Sequence, residues 1–194
     1  MKLFECQNCG QLLFFENTRC ERCGHLLGYL SERTCLSALA PEGELWRALA
    51  APVTLYRYCA NAGQGACNWL VRADSAEQLC QSCRLNHTIP NLDSFENARR
   101  WRLLEAAKHR LVYGLQRLGL KVIDKKAEPE RGLAFDFLAA PVVVTETDKA
   151  VVTGHDNGLI TIDVAEADDV ERERHRRNMA EPYRTLLGHF RHEV

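Results

Sequence analysis

Apolar residues recur at helical spacing along the middle of the chain. An apolar face that begins at residue 98 runs to residue 118, and Gly119 ends it. Asp93 and Glu96, three residues apart, form a capping box ahead of this face. The pattern predicts the longest helix of the chain, with a basic outer surface that Glu96 and Glu105 dilute. A charge run of this kind is usually a solvated face. The basic residues are Arg99, Arg100, Arg102, Lys108 and Arg110.

Strand spacing follows this helix. Residues 133–138 alternate apolar and polar side chains and predict a strand. Residues 151–154 and 159–164 are two apolar runs joined by His155-Asp156-Asn157-Gly158, and Asn-Gly between such runs predicts a β-hairpin. Asp168 and Asp169 then cap a strongly charged helix over residues 170–179.

The last stretch of the chain predicts another helix, which begins at Pro182 because proline suits the first helical position. Its apolar stripe consists of Tyr183, Leu186, Leu187, Phe190 and Val194. His192 and Glu193 at its far end match the first half of HExxH. In that motif two histidines one turn apart ligate Zn²⁺, and the glutamate polarises the metal-bound water. The second histidine would lie beyond Val194, which predicts a chain cut within the motif.

The first half of the chain has a weaker pattern. Residues 41–52 predict a short helix at most, with Leu45, Trp46 and Leu49 on its apolar side. Residues 69–71 predict a strand that packs over a metal site.

Composition and charge narrow the class of protein. The 194 residues fit one or two domains, and 46% hydrophobic and 26% charged residues are typical of a globular chain. A formal net charge of −1 argues against a protein that mainly neutralises nucleic-acid phosphates. The sequence has neither a long apolar run nor a hydrophobic signal core, so we expect a soluble, cytoplasmic protein without a membrane partner.

Four of the nine cysteines form two matching knuckles near the start of the chain. Cys6 and Cys9 form the first CxxC pair, Cys20 and Cys23 form the second, and a glycine follows each pair. Two residues between cysteines let both sulfurs reach one metal, so this pattern predicts a zinc ribbon with a structural Cys₄ site. A redox CxxC would instead occur once, in a βαβ context that is absent here. His25 is interpreted as a bystander and Cys35 as a small buried residue.

A second cysteine cluster follows. Cys80 and Cys83 form a CxxC pair, whereas Cys59 and Cys67 are separated by seven residues that include Gly63 and Gly65. We predict a second structural Cys₄ zinc site, whose first half is a loop shaped by these glycines. His87 could replace one cysteine but is better interpreted as a surface residue. Four thiolates close the coordination sphere of zinc, which argues against catalysis at either cluster.

Together these motifs resemble a bacterial family of zinc-binding metallopeptidases with an N-terminal zinc ribbon. The resemblance implies an α+β fold in which the C-terminal helices belong to an incomplete zincin-like domain. It also implies that the last motif continues to HEVGH in the complete protein. It further implies a zinc hydrolase acting on a peptide or protein substrate.

In the complete protein His192 would be a ligand of the catalytic zinc and Glu193 the general base. His189 would be structural or a weak second contact, and the edge of the hairpin at residues 155–162 would bind an extended substrate. The segments that carry the resemblance are the double CxxC start, Cys67-Asn68-Trp69-Leu70-Val71, residues 80–86, Thr153-Gly154-His155, residues 158–162, Glu166-Ala167-Asp168-Asp169, and residues 181–184 and 189–194.

We therefore predict three segments: a zinc ribbon over residues 1–35, a second zinc-binding segment with a linker over residues 36–92, and part of a metallopeptidase domain over residues 93–194. Two structural Zn²⁺ ions are expected in this chain, a catalytic one only in the complete protein, and no peptide hydrolysis by the chain alone. The alternatives are a non-catalytic zinc-ribbon adaptor, a nucleic-acid-binding protein and a thiol oxidoreductase. Basic and acidic residues balance in the ribbon, which argues against nucleic acid. They are Lys2, Arg19, Arg22 and Arg33 against Glu5, Glu16, Glu21 and Glu32.

Overall fold

The computed structural model describes residues 2–139, 153–178 and 185–194. The chain divides into two compact units, Met1–Cys83 and Arg84–Val194. The first unit is built from β-strands and short 3-10 turns, and the second combines a sheet with three α-helices. The predicted α+β class is confirmed, while the boundaries after residues 35 and 92 stay predictions.

The first unit contains a small hairpin and a larger antiparallel sheet. Strands β1 (Phe4–Glu5) and β2 (Leu12–Leu13) form the hairpin. The sheet has five strands in chain order, each antiparallel to the next. They are β3 (Leu26–Leu30), β4 (Cys35–Glu42), β5 (Leu45–Ala48), β6 (Leu55–Tyr58) and β7 (Leu70–Arg72).

The short helix predicted over residues 41–52 is wrong. This stretch holds the end of β4, a turn at Gly43 with a φ of 62°, and β5. Trp46 pairs with Tyr56 on β6, and its ring lies 6.0 Å from that of Tyr58. Cross-strand aromatic pairs of this kind stabilise sheets, and a short apolar run does not distinguish helix from strand by spacing alone. The strand predicted at residues 69–71 is confirmed as β7, one residue later.

The second unit is built on a mixed sheet in the order β10-β11-β9-β8. Strands β10 (Gly154–Asp156) and β11 (Leu159–Asp163) form the predicted hairpin around Asn157 and Gly158, which have positive φ values of 47° and 84°. Residues 151–152 of that prediction lie outside the described residues. Strand β9 (Ala134–Leu138) is also confirmed, but it pairs in parallel with both β11 and β8 (Asn86–Thr88), so this sheet is not wholly antiparallel.

Within the described residues, three helices accompany this sheet: α1 (Phe95–Arg117), α2 (Asp169–Asn178) and α3 (Leu186–Glu193). The alternating residues Phe135, Phe137, Ile160 and Ile162 of β9 and β11 are all fully buried. Phe190 of α3 is buried against the two phenylalanines, at ring distances of 5.6 and 6.1 Å. Within the described ranges, no helix has the length and apolar character needed to cross a membrane.

Ser94, not Asp93, caps α1. The Ser94 hydroxyl accepts a hydrogen bond from the backbone N–H of Asn97, so the N-cap lies one residue after the predicted Asp93. Ser94→Ala is expected to lower the free energy of unfolding by about 1 kcal/mol, because an N–H group of the first turn loses its partner. Chemical denaturation would measure the change. Asp93→Ala is the matched control, and an equal loss in the control would contradict the assignment of the cap.

The prediction that Lys108 belongs to the basic outer surface of α1 is wrong. Lys108 and Glu105 are both fully buried, with Lys108 Nζ 2.7 Å from Glu105 Oε1. Helical spacing puts these two residues on the face that carries Leu104 and Leu111, so they point inward. Arg99 and Arg100 both pair with Asp168, which holds α1 against the start of α2. The basic surface of α1 is therefore smaller than the sequence suggests.

The C-terminal helices depart in detail from the prediction. Helix α2 begins at Asp169, and Met179, its predicted end, lies outside the described residues. Helix α3 begins at Leu186, and the Thr185 hydroxyl accepts a hydrogen bond from the N–H of Gly188. The predicted start at Pro182 and the stripe residue Tyr183 also lie outside the described residues. Of the predicted apolar stripe, Phe190 is fully buried, whereas Val194, at the C-cap of α3, is half exposed.

Candidate metal centres

The two CxxC pairs of the ribbon fold into equivalent knuckles. In the first, the N–H of Gly10 donates to the carbonyl of Cys6, and in the second the N–H of Gly24 donates to the carbonyl of Cys20, each at 2.8 Å. The two glycines have φ values of 73° and 75°, a conformation that residues with a Cβ rarely adopt. Because the two turns have the same conformation, both pairs of sulfurs face one common metal position.

The geometry of the four ribbon sulfurs fits a zinc ion. Cys6 Sγ lies 3.6 Å from Cys23 Sγ, and Cys9 Sγ lies 3.6 Å from Cys20 Sγ. With zinc–sulfur bonds of about 2.3 Å, the edge of a tetrahedron is about 3.8 Å. A disulfide would instead need about 2.0 Å, and none of the nine cysteines, which all lie in the described residues, is in a disulfide. The four residues therefore have the donor set and the spacing of a closed zinc site.

The surroundings of the ribbon thiols shift their pKa values in opposite directions. A hydrogen bond from the backbone of His25 lowers the pKa of Cys23 to about 5, whereas burial raises the pKa of Cys6. Without a cation, the four sulfurs cannot all carry negative charge at such short distances. A divalent ion would favour the thiolate form of each of them.

The second cluster brings Cys59, Cys67, Cys80 and Cys83 together, with all four sulfurs within 4.8 Å of one another. Cys67 Sγ and Cys80 Sγ are 3.7 Å apart, again near the edge of a zinc tetrahedron. The wide spacing in the first half is taken up by a 3-10 turn, Ala60–Gln64, that ends at Gly65 with a φ of 67°. Gly63 does not have a positive φ, so only Gly65 has the predicted role.

Backbone N–H groups surround the sulfurs of this second cluster. The N–H of Trp69 donates to Cys67 Sγ and that of Cys80 donates to Cys59 Sγ, both at 3.3 Å. Thiol hydrogen bonds from Cys67 and Cys80 lower the pKa of Cys59, whereas burial raises that of Cys67. Donors aimed at sulfur stabilise thiolates, so this cluster also fits a zinc ion.

The other candidate ligands of this half lie apart from both clusters. His25 and Cys35 are not among the converging sulfurs, and Cys35 is partly buried against the apolar core of the sheet. His87 is exposed and contacts Asp136 Oδ1 at 2.8 Å, as expected for a surface residue. Closed clusters of four cysteines leave none free as a redox pair, which argues against a thiol oxidoreductase.

The end of α3 carries the half motif. His192 is exposed, and Glu193 is one turn beyond His189. His189 Nε2 lies 3.5 Å from Glu193 Oε1, and His189 Nδ1 lies 3.7 Å from Glu166 Oε2. The side chain of His189 is 10% exposed, that of Glu193 is 15% exposed and that of Glu166 is 2% exposed.

This arrangement differs from a metal site in two ways. The two carboxylates contact opposite nitrogens of the His189 ring, so they do not converge on one point. His192 alone cannot hold catalytic zinc, which needs three protein ligands. Sequence reasoning overlooked the contact of Glu166 with His189. The only signal for it was the Glu166-Ala167-Asp168-Asp169 segment.

Two family models match the chain, one before and one after residues 95–96. Residues 3–94 match the model of a zinc-ribbon domain, and residues 97–194 match the model described as "Putative zinc-binding metallo-peptidase". One protein of Mycobacterium bovis and two from strains of Mycobacterium tuberculosis, all described as uncharacterized, are 41% identical over the whole chain. The chain spans 52% of the length of each. No solved structure matches it.

Proposed function

The chain belongs to this zinc-binding metallo-peptidase family, and from that premise we propose that it is the amino-terminal part of a zinc-dependent peptidase. Zinc binding follows from both family matches and from the cysteine clusters. Hydrolysis of peptide bonds is the proposed step beyond it. The two cysteine clusters would each hold one structural zinc ion, and neither would take part in the reaction because four thiolates leave no position for water.

One observation carries this proposal: the helix that ends in His192-Glu193 packs against the core of a sheet in which β10 is an edge strand among the described residues. Phe190 anchors α3 to Phe135 and Phe137 of β9. Strand β10 lies at the edge of the same sheet, two strands from β9. A strand edge can bind an extended peptide through backbone hydrogen bonds. A peptidase that uses the HExxH motif needs two features in one domain: a strand edge that binds the substrate and a helix that carries the His-Glu pair.

The residues of α3 then have distinct proposed roles. His192, which is exposed, would be one zinc ligand, and residues beyond Val194 would have to supply the others. Zinc, once bound there, would polarise the scissile carbonyl and activate water. Glu193 would accept a proton from that water as general base. His189, held between Glu166 and Glu193, would fix the direction of the Glu193 carboxylate.

The experiment compares this chain with the protein produced from the complete reading frame. The 194-residue chain is expected to leave an unstructured fluorogenic casein substrate intact, whereas the complete protein cleaves it. Glu193→Gln in the complete protein should lower kcat about 100-fold without loss of bound zinc, because the general base is missing. Glu171→Gln, the same loss of a carboxylate on α2, is the matched control. Cleavage by the 194-residue chain, or a reading frame that stops at Val194, would contradict the proposal.

A non-catalytic adaptor is the second candidate, and the surface of the ribbon favours it. Leu12 of β2 is 53% exposed, Phe14 just after β2 is 63% exposed, and Leu3 just before the paired strand β1 is 49% exposed. Exposed apolar residues that cluster in this way often mark a protein interaction site. An inactive complete protein with intact zinc sites would favour the adaptor over the peptidase.

A further inference from the structure

The segment Cys67-Asn68-Trp69 belongs to the second cysteine cluster through its backbone. The N–H of Trp69 donates to Cys67 Sγ at 3.3 Å, and the carbonyl of Trp69 accepts a hydrogen bond from the N–H of Cys59 at 3.0 Å. Trp69 is therefore tied to two of the four candidate ligands. Its position depends on the cluster being formed.

The side chain of Trp69 packs against the ribbon. Phe15, which lies between the two ribbon knuckles, is 3% exposed and meets Trp69 edge-on at a ring distance of 6.3 Å. Tyr29 contacts both rings, at 5.0 Å from Phe15 and 4.4 Å from Trp69. Tyr29 and Trp69 are fully buried. Aromatic contacts of this kind depend on the relative position of the rings, so displacement of Trp69 would weaken its contacts with Phe15 and Tyr29.

Asn68 provides a second connection to the ribbon. Its Nδ2 donates to the carbonyls of Phe15 and Asn17, at 2.8 and 3.2 Å. Its own carbonyl accepts a hydrogen bond from the N–H of Tyr29 at 2.9 Å. These hydrogen bonds form only when Cys67 and its neighbours lie in place beside the ribbon.

From these connections we infer that the two cysteine clusters take up and release zinc as one cooperative unit. Each cluster is too small to bury a core of its own, so metal binding supplies much of its folding free energy. A chain with one empty cluster would lose the aromatic contacts and the Asn68 hydrogen bonds along with that zinc. The singly loaded form is therefore disfavoured. This inference concerns the structural sites and does not depend on peptidase activity.

Native mass spectrometry of the reduced chain during a zinc titration tests the inference. Independent equal sites give about half of the chains one zinc ion at half loading, whereas a coupling of about 100-fold leaves about one tenth in that form. We expect the lower value, together with release of both ions at a single rate when a chelator is added. A singly loaded form that reaches half of the chains or more, with two separate release rates, would overturn the inference.

Two pairs of variants locate the coupling. Phe15→Leu removes the aromatic contact between the clusters and is expected to raise the singly loaded form about threefold, to a share that corresponds to roughly fivefold coupling. Phe14→Leu, at the exposed neighbour, is the matched control and should leave the titration unchanged. Asn68→Asp removes the two donated hydrogen bonds and should act like Phe15→Leu. Equal titrations for Phe15→Leu and Phe14→Leu would exclude this aromatic path. The titration of the unaltered chain still decides cooperativity if a variant does not fold.

Discussion

Cys20→Ser is expected to lower the free energy of unfolding of the first unit by more than about 4 kcal/mol and to remove at least one bound zinc ion per chain. Cys20 is fully buried, and its sulfur lies 3.6 Å from that of Cys9. Structural zinc contributes about 10–16 kcal/mol in small zinc domains, because the metal-binding site exists only in the folded state. A serine hydroxyl does not replace a thiolate ligand, so most of that contribution is lost.

Metal analysis by mass spectrometry and amide hydrogen exchange would measure both effects. Exchange is expected to rise throughout β1 to β4, whose contacts connect the ribbon to the sheet. Gln7, for example, accepts a hydrogen bond from the N–H of Ala38 at 2.7 Å. Cys35→Ser is the matched control, since Cys35 lies outside both clusters and is only partly buried. The assignment of the ligands fails if the two variants retain the same zinc and the same exchange.

The metal-binding half of the fold could be predicted because its spacing is set by chemistry. Two residues between cysteines and a glycine after them are what a metal-binding turn requires, whatever surrounds it. The five-stranded sheet could not be predicted in the same way. Its strands at residues 41–48 are stabilised by Trp46 against Tyr58, a pairing between distant residues that no local pattern contains.

The candidate site of the second unit was predictable only in part. His192 and Glu193 were found because the pair belongs to a known motif with a mechanism. No local pattern predicts the contact of Glu166 with His189, because it depends on where the 3-10 turn Val164–Ala167 lies relative to α3. Lys108 was assigned to the surface, since charged residues in helices usually are solvated. Its burial follows from its position on the helix, three residues after Glu105 and four after Leu104.

Lys108→Met is expected to lower the free energy of unfolding of the second unit by about 3–5 kcal/mol, the usual cost of leaving one buried charge without its partner. Lys108 Nζ donates to Glu105 Oε1 and to the amide oxygen of Asn86. It also lies 5.4 and 5.7 Å from the ring centres of Phe137 and Phe135. Methionine fills the same space but leaves the Glu105 carboxylate in a fully buried position without its cation.

Glu105→Gln combined with Lys108→Met is expected to recover most of this loss, to within about 1–2 kcal/mol of the unaltered chain, because neither charge is then buried. The glutamine can still accept the hydrogen bond that Asn86 Nδ2 donates to Glu105 Oε1 at 2.9 Å. Denaturant unfolding of the single and double variants gives the interaction energy directly as a double-mutant cycle. Lys126→Met, at an exposed lysine, controls for loss of charge and should change stability by less than about 0.5 kcal/mol. If the double variant is as unstable as Lys108→Met, the loss of stability in Lys108→Met does not come from the unpaired charge of Glu105.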